Sequence, residues 1–209
     1  MRTATAGTLL IALLRLVACR LLASALLLGT GTRPATAEPP TGEFTDVRGG
    51  QYRLPGPDDC KAVLLLFLGH DCPVSNGYAP EVGRLCQEYT PKGVAFCVVY
   101  ADADLGVADA RKHAKEYGFP CPAILDPAMR LALKVEATVK PEAAVLSPAG
   151  ELLYLGRIDD TYADLGKRRP QPTRRELKDA LVAVLAGKPV AVARAEAVGC
   201  PIDFPEAKK

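Results

Sequence analysis

The chain has 209 residues, 49% of them hydrophobic, with 7 cysteines, 18 prolines and no tryptophan. That content supports one sizeable core, and the length is too short for two full domains. A formal charge of +2, with no interleaving of aromatic and basic residues, argues against a nucleic-acid partner or a broadly anionic surface.

Residues 1–37 read as a leader. Arg2 precedes an apolar stretch over 9–14, a second apolar stretch covers 21–28, and Ala35-Thr36-Ala37 forms an A-x-A cleavage pattern. Arg15 and Arg20 interrupt the apolar run, which argues against a transmembrane helix because an arginine at bilayer depth costs several kcal/mol. Two alternatives stand beside cleavage: Leu16-Val17-Ala18-Cys19 resembles a lipobox that would lipidate Cys19, and the segment could remain as an uncleaved anchor. The expected organisation is a signal peptide or anchor over 1–37, a domain over 38–190 and a C-terminal tail over 191–209. Export would place the domain in the periplasm or outside the cell, with any membrane contact made through the leader or a lipid.

After a linker at 39–42, residues 44–47 and 52–54 flank Gly49-Gly50 and predict a short β-hairpin capping the main sheet. Residues 62–68 form a continuous apolar run of the kind buried on both faces of a sheet, and 94–100 form a second. Between them, Tyr78, Val82, Leu85 and Tyr89 carry helical spacing over 75–89. A polar-faced helix follows over 107–117, stopped by Gly118, then a brief strand at 123–125 and a short helical segment at 129–134. Residues 143–146 and 152–155, joined by Ser147-Pro148-Ala149-Gly150, predict an antiparallel hairpin. Thr173-Arg174-Arg175-Glu176 has the capping-box pattern and opens a helix through Ala186 that Gly187 stops. The basic stretch 166–175 reads as a solvated loop. This order describes an α/β domain with a central mixed β-sheet flanked by helices, an N-terminal β-hairpin and a C-terminal tail.

Cys72 is the best candidate for chemistry, because it lies where the first buried strand meets the helix. The first turn of a helix offers unpaired N–H groups and the positive end of the dipole, both of which favour thiolate over thiol. Five more cysteines follow the leader: Cys60, Cys86, Cys97, Cys121 and Cys200. An oxidising compartment would let disulfides persist, yet spacing alone does not pair them. There is no C-x-x-C and there are only two histidines, so no metal and no cofactor is expected, and a copper-carrying role is weakly supported.

Cys72-Pro73-Val74-Ser75, Pro80, Lys140-Pro141-Glu142, the stretch Tyr154-Leu155-Gly156-Arg157-Ile158-Asp159-Asp160 and the terminal Gly199-Cys200-Pro201-Ile202 occur in an order that resembles a thioredoxin-fold redoxin. The resemblance is to the peroxiredoxin-like, AhpC/TSA-related group of exported bacterial proteins, and it covers residues 44–204. It implies a thioredoxin-like fold and aligns Cys72 with the thioredoxin nucleophile, since Pro80 stands eight residues later, where thioredoxins carry a helix-kinking proline. It further implies that Pro141 is the cis-proline opposite that nucleophile and that Lys140 lies beside Cys72.

The departures matter as much. Ser75 stands where a thioredoxin has its second cysteine, Leu66 where it has a buried acid, and the peroxiredoxin active-site pattern is absent. A nucleophile without a neighbouring resolving thiol forms a mixed disulfide that waits for another thiolate. Cys200 on the tail could supply it, or could instead pin the tail to Cys60 or Cys121; Cys121, between Pro120 and Pro122, is a second candidate for resolving Cys72. Ser75 could hydrogen-bond the sulfur or merely start the helix, and Lys140 could lower the thiol pKa by charge. His70 and Asp71 adjoin the nucleophile in sequence only. Cys86 and Cys97 read as core fillers, and His113 as surface decoration.

The site expected from sequence is therefore Cys72, Ser75, Lys140, Pro141 and Cys200. The expected activity is thiol–disulfide exchange with protein or small-molecule thiols and disulfides, with peroxide reduction behind it. The alternative is a redox-inactive thioredoxin-fold binding or assembly module of the cell envelope, since fold does not imply function.

Overall fold

The computed structural model describes residues 41–54, 56–57 and 59–204. The leader, its cleavage pattern and Cys19 lie outside the described residues. Among the described residues no helix is long and apolar enough to cross a membrane.

A mixed sheet organises the chain. Its central strand β3 (Ala62–Phe67) is apolar at every position and buried at every position. It pairs in parallel with β4 (Val94–Tyr100), which pairs in parallel with β5 (Ala123–Leu125). On its other side β3 pairs antiparallel with β7 (Glu142–Leu146), and β7 with β8 (Leu152–Gly156), the hairpin expected around Pro148. A two-residue strand β11 (Arg194–Ala195) closes that edge in parallel with β8.

Strand alternation divides the core into two layers. Leu64 and Leu66 of β3 face helix α1 (Pro73–Tyr89), helix α2 (Val107–Glu116) and helix α4 (Glu176–Leu185), which contribute Val82, Leu85, Ala110, Ala114, Leu177 and Leu181. Val63, Leu65 and Phe67 face the opposite way, onto the short helix α3 (Arg130–Val135) with Leu131 and Val135, and onto Tyr52 and Leu54. Leu64 and Leu65 are fully buried, so truncating either to alanine costs about 2–5 kcal/mol.

The N-terminal hairpin consists of β1 (Gly42–Thr45) and β2 (Gln51–Leu54) in antiparallel register. Besides the core contacts of Tyr52 and Leu54, the turn that follows β1 bonds to the sheet edge. The Asp46 carboxylate accepts from Ala123 N–H at 2.6 Å and from Arg48, whose guanidinium also reaches the Cys121 carbonyl at 2.5 Å. Burial opposes ionisation of Asp46, but these donors outweigh it and hold the carboxyl below its ordinary range.

Three elements differ from the sequence expectation. The basic stretch is partly ordered, as a small hairpin of β9 (Tyr162–Asp164) and β10 (Lys167–Arg168). Helix α4 starts at Glu176 with Arg175 as its cap residue and no side-chain cap, so the capping box is not formed. The reason is competition: the Thr173 hydroxyl donates to Asp160 at 2.5 Å, and Glu176 pairs with Arg157. The third is the tail, whose segment after β11 forms β12 (Cys200–Pro201) against β6 (Val139–Lys140).

Candidate active site

Cys72 caps the N-terminus of α1 in extended backbone, with Pro73 in the first turn and Asn76 N–H donating to the Cys72 carbonyl at 2.9 Å. Proline suits this position because its missing N–H would have had no helical partner. Pro80 lies inside the helix, and Val74, Ser75, Tyr78 and Ala79 turn its first two turns into the core. The thiol itself is buried, 1% exposed.

Four groups surround the Cys72 sulfur. As a thiol, Cys72 donates to the Lys140 carbonyl at 3.2 Å. The Ser75 N–H and hydroxyl both reach the sulfur, and the same hydroxyl accepts from Gly69 N–H at 3.1 Å, which orients it. The fourth is Cys200, whose thiol and N–H both lie within hydrogen-bonding reach. Burial alone would raise the Cys72 pKa; the donors from Cys200 and Ser75 outweigh it and hold the thiol below its ordinary value. Cys200 responds in the opposite sense. Burial, its role as donor to Cys72 and the nearby charges of Cys72 and Asp71 push it up to about 11, with Lys140 opposing.

The Lys140–Pro141 peptide bond is cis. β12 then runs antiparallel along β6, with Cys200 opposite Lys140 and Pro201 opposite Val139, and Ile202 continues the contact by donating to the Thr138 carbonyl at 2.9 Å. The Ile202 side chain is buried in the second core layer. Contact is close at Gly199, where a Cβ would lie 2.2 Å from the Lys140 carbonyl oxygen. Only glycine fits there. Glu142 supports the loop from below, its carboxylate accepting from Thr138 N–H at 2.7 Å and Val139 N–H at 3.4 Å.

Cys72, Ser75, Lys140, Pro141 and Cys200 thus come together, although Lys140 contributes to Cys72 through its carbonyl while its charge acts on Cys200. Cys121 does not join them; its thiol meets Cys86, fourteen residues along α1 from Cys72. At 1.5 Å per residue that is about 21 Å, beyond direct exchange.

His113 is not surface decoration. It is 7% exposed, its Nδ1 lies 2.8 Å from the Tyr100 hydroxyl, and its Nε2 lies 2.9 Å from Asn76 Oδ1. Asn76 in turn donates to the His70 carbonyl at 3.2 Å, so a polar chain, buried at Tyr100 and His113 and half-buried at Asn76 and His70, runs from β4 to the loop before Cys72. Helical spacing puts His113 beside Ala110 and Ala114, a signal outweighed in the sequence by the five charged side chains on the same helix.

The sequence matches no protein-family model and no curated protein. Solved structures do resemble it. A candidate thiol:disulfide interchange protein DsbE from Chlorobium tepidum is 18% identical with a TM-score of 0.56, over 72% of this chain and 96% of that one. The fold is thioredoxin-like. Greater similarity extends to an uncharacterized conserved protein from Geobacillus kaustophilus, 25% identical with a TM-score of 0.71 over 85% of this chain and 96% of that one. A hypothetical protein from Sinorhizobium meliloti is 20% identical with a TM-score of 0.69, over 82% and 95%. The thioredoxin-like scaffold brings the strand β3, the start of α1 and the cis-proline loop to one end of the sheet, where Cys72 stands.

Proposed function

We propose that this chain is a thiol–disulfide oxidoreductase whose redox pair is Cys72 and Cys200. The observation that carries the reading is the pairing of Cys200–Pro201 with Val139–Lys140, which sets a second thiol against a cysteine at a helix N-terminus. The structurally similar Chlorobium tepidum protein bears the name of a thiol:disulfide interchange protein, which is consistent with the same chemistry.

The Cys72 thiolate attacks one sulfur of a substrate disulfide, forming a mixed disulfide and releasing the other sulfur as a thiolate. Cys200, once deprotonated, attacks Cys72 Sγ and expels the second substrate sulfur. Two electrons pass to the substrate and the protein is left with a Cys72–Cys200 disulfide, which a thiol donor reduces by the reverse exchange. The unequal proton affinities fit these roles: Cys72 is the better nucleophile near neutral pH, and Cys200 holds the proton until it is needed. Ser75 and the Lys140 carbonyl touch the reacting sulfur, whereas Pro141 and Glu142 are positioning residues.

Export to the periplasm or cell exterior completes the reading, since such compartments sustain disulfide substrates. Kinship with the peroxiredoxin-like group rests on the sequence resemblance, and a hydroperoxide is the second acceptor class to assay. The decisive experiment is reduction of a protein disulfide by wild type, Cys72→Ser and Cys200→Ser. Loss of turnover in Cys72→Ser, with trapping of mixed disulfide by Cys200→Ser, is the expected result. Full turnover without Cys72 would overturn the proposal and leave the binding-module reading in its place.

A further inference from the structure

Two buried thiols are left unused by that chemistry. Cys86 lies on the buried face of α1, 5% exposed, and Cys121 lies in the loop entering β5, 3% exposed; both are free thiols of the same core layer, each within interacting reach of the other. Both partners are held. Pro120 and Pro122 flank Cys121, the Pro122 carbonyl accepts from Val98 N–H at 2.9 Å, and the Cys121 carbonyl accepts from Arg48. On the helix side the Cys86 sulfur lies 3.5 Å from the Thr90 hydroxyl.

We infer that Cys86 and Cys121 form a second disulfide, structural rather than catalytic, which ties the body of α1 to the α2–β5 loop on which the N-terminal hairpin rests. A sequence separation of 35 (121 minus 86) joins two elements that no backbone pairing links directly. The site is separate from Cys72 by about 21 Å of helix, so neither sulfur can resolve the Cys72 adduct.

In the folding chain one of the two thiols attacks as thiolate and displaces one thiol from a donor disulfide. The other thiolate then attacks the protein sulfur of that mixed disulfide and displaces the second, and two electrons and two protons pass to the donor. Because both sulfurs are buried in the folded domain, the donor acts while the chain is still folding. The donor class is a small-molecule or protein disulfide, as an exporting cell provides.

The test uses the full chain refolded in a glutathione redox buffer, quenched with acid, alkylated and digested with trypsin. Cleavage places Cys86 in peptide 85–92, Cys121 in 116–130, Cys72 in 62–84 and Cys200 in 195–208, so each pairing has its own mass. The expected product is 85–92 joined to 116–130, formed equally in the Cys72→Ser/Cys200→Ser variant. In that variant, reductant should lower the melting temperature by roughly 10 °C, the scale expected for opening a loop of this length in a domain of this size. Recovery of both peptides as alkylated thiols, or of Cys121 joined to any other cysteine, overturns the inference. So does a melting temperature that reductant leaves unchanged in the double variant. Because that variant lacks the proposed redox pair, either result leaves the exchange reading standing or falling on its own assay.

Discussion

Cys72 and Cys200 face one another with unequal hold on a proton, and the inequality is built from donors rather than from a neighbouring cation. Four donors reach the Cys72 sulfur, the thiol and N–H of Cys200 and the N–H and hydroxyl of Ser75, and they offset the burial that would otherwise keep it protonated. Removing one donor should move the balance. In Cys200→Ala, the midpoint of the pH profile for Cys72 alkylation should rise toward the ordinary thiol value of about 8.5. Ser75→Ala should move it less, because its hydroxyl is a weaker donor to the sulfur than the Cys200 thiol, and each variant keeps its own backbone N–H. The midpoint is the quantity to compare, since deleting Cys200 also uncovers Cys72 and raises the rate at every pH. A midpoint that stays in place in Cys200→Ala would mean that the helix terminus alone activates the thiol. Cys72 and Ser75 were legible as a site in the sequence because their chemistry is local, set by a strand end followed by a helix start. The convergence of Cys200 was open there, since a 60-residue separation from its strand partner Lys140 (200 minus 140) carries no pattern.

At the scale of the element, the tail is the part whose role depends on one residue without a side chain. β12 is two residues long, and its hold on β6 is shared with the Ile202 N–H and the buried Ile202 side chain. Gly199 precedes it, and a Cβ there would overlap the Lys140 carbonyl. Gly199→Ala should therefore lift β12 from β6 and draw Cys200 away from Cys72. The expected result is a drop of at least about tenfold in the yield of the 62–84 to 195–208 cross-link under the same redox buffer, about 1.4 kcal/mol of lost proximity. Glu196→Ala, at an exposed tail position, is the control and should leave the yield unchanged. Equal yields in both variants would show that β12 does not position Cys200. The long apolar strands β3 and β4 and the spacing of α1 were readable because burial imposes a period. The small hairpin β9–β10 was not, because its surroundings are ordered by Asp160. That carboxylate accepts from Thr173 N–H at 2.6 Å and Arg174 N–H at 2.9 Å, and the Thr173 hydroxyl first among its partners holds it down at about 2.

Across the whole molecule, polar groups join regions that the sheet alone does not, and one of them is a histidine whose burial disfavours its charged form. The chain Tyr100, His113, Asn76, His70 links β4 and α2 to the start of α1. The alternation that sorts β3 into two core layers was legible in sequence, but the inward turn of His113 was not. An imidazole can be buried only when both ring nitrogens find partners, and those partners, Tyr100 and Asn76, belong to other elements. Burial lowers the His113 pKa, the charge of His70 adds to the effect, and Glu116 opposes it. The sign follows from linkage: below about 6.5 the unfolded chain takes up a proton that the folded chain refuses, so stability is complete above that pH and declines as pH falls through it. Asp46 and Asp160, both held below the ordinary carboxylate value of 3.8, begin to lose their contribution only under more acid conditions, which separates the two windows. Melting temperatures of the oxidised wild type, in which neither Cys72 nor Cys86 is a free thiol, should thus be level from about pH 8 to 7 and fall between roughly pH 6.5 and 5. His113→Gln, which keeps a hydrogen-bonding side chain at the site, should flatten that decline while lowering the plateau, and His70→Gln should leave the slope in place. If His70→Gln removed the slope and His113→Gln preserved it, the acid sensitivity would belong to the loop before Cys72 and not to the buried chain behind it.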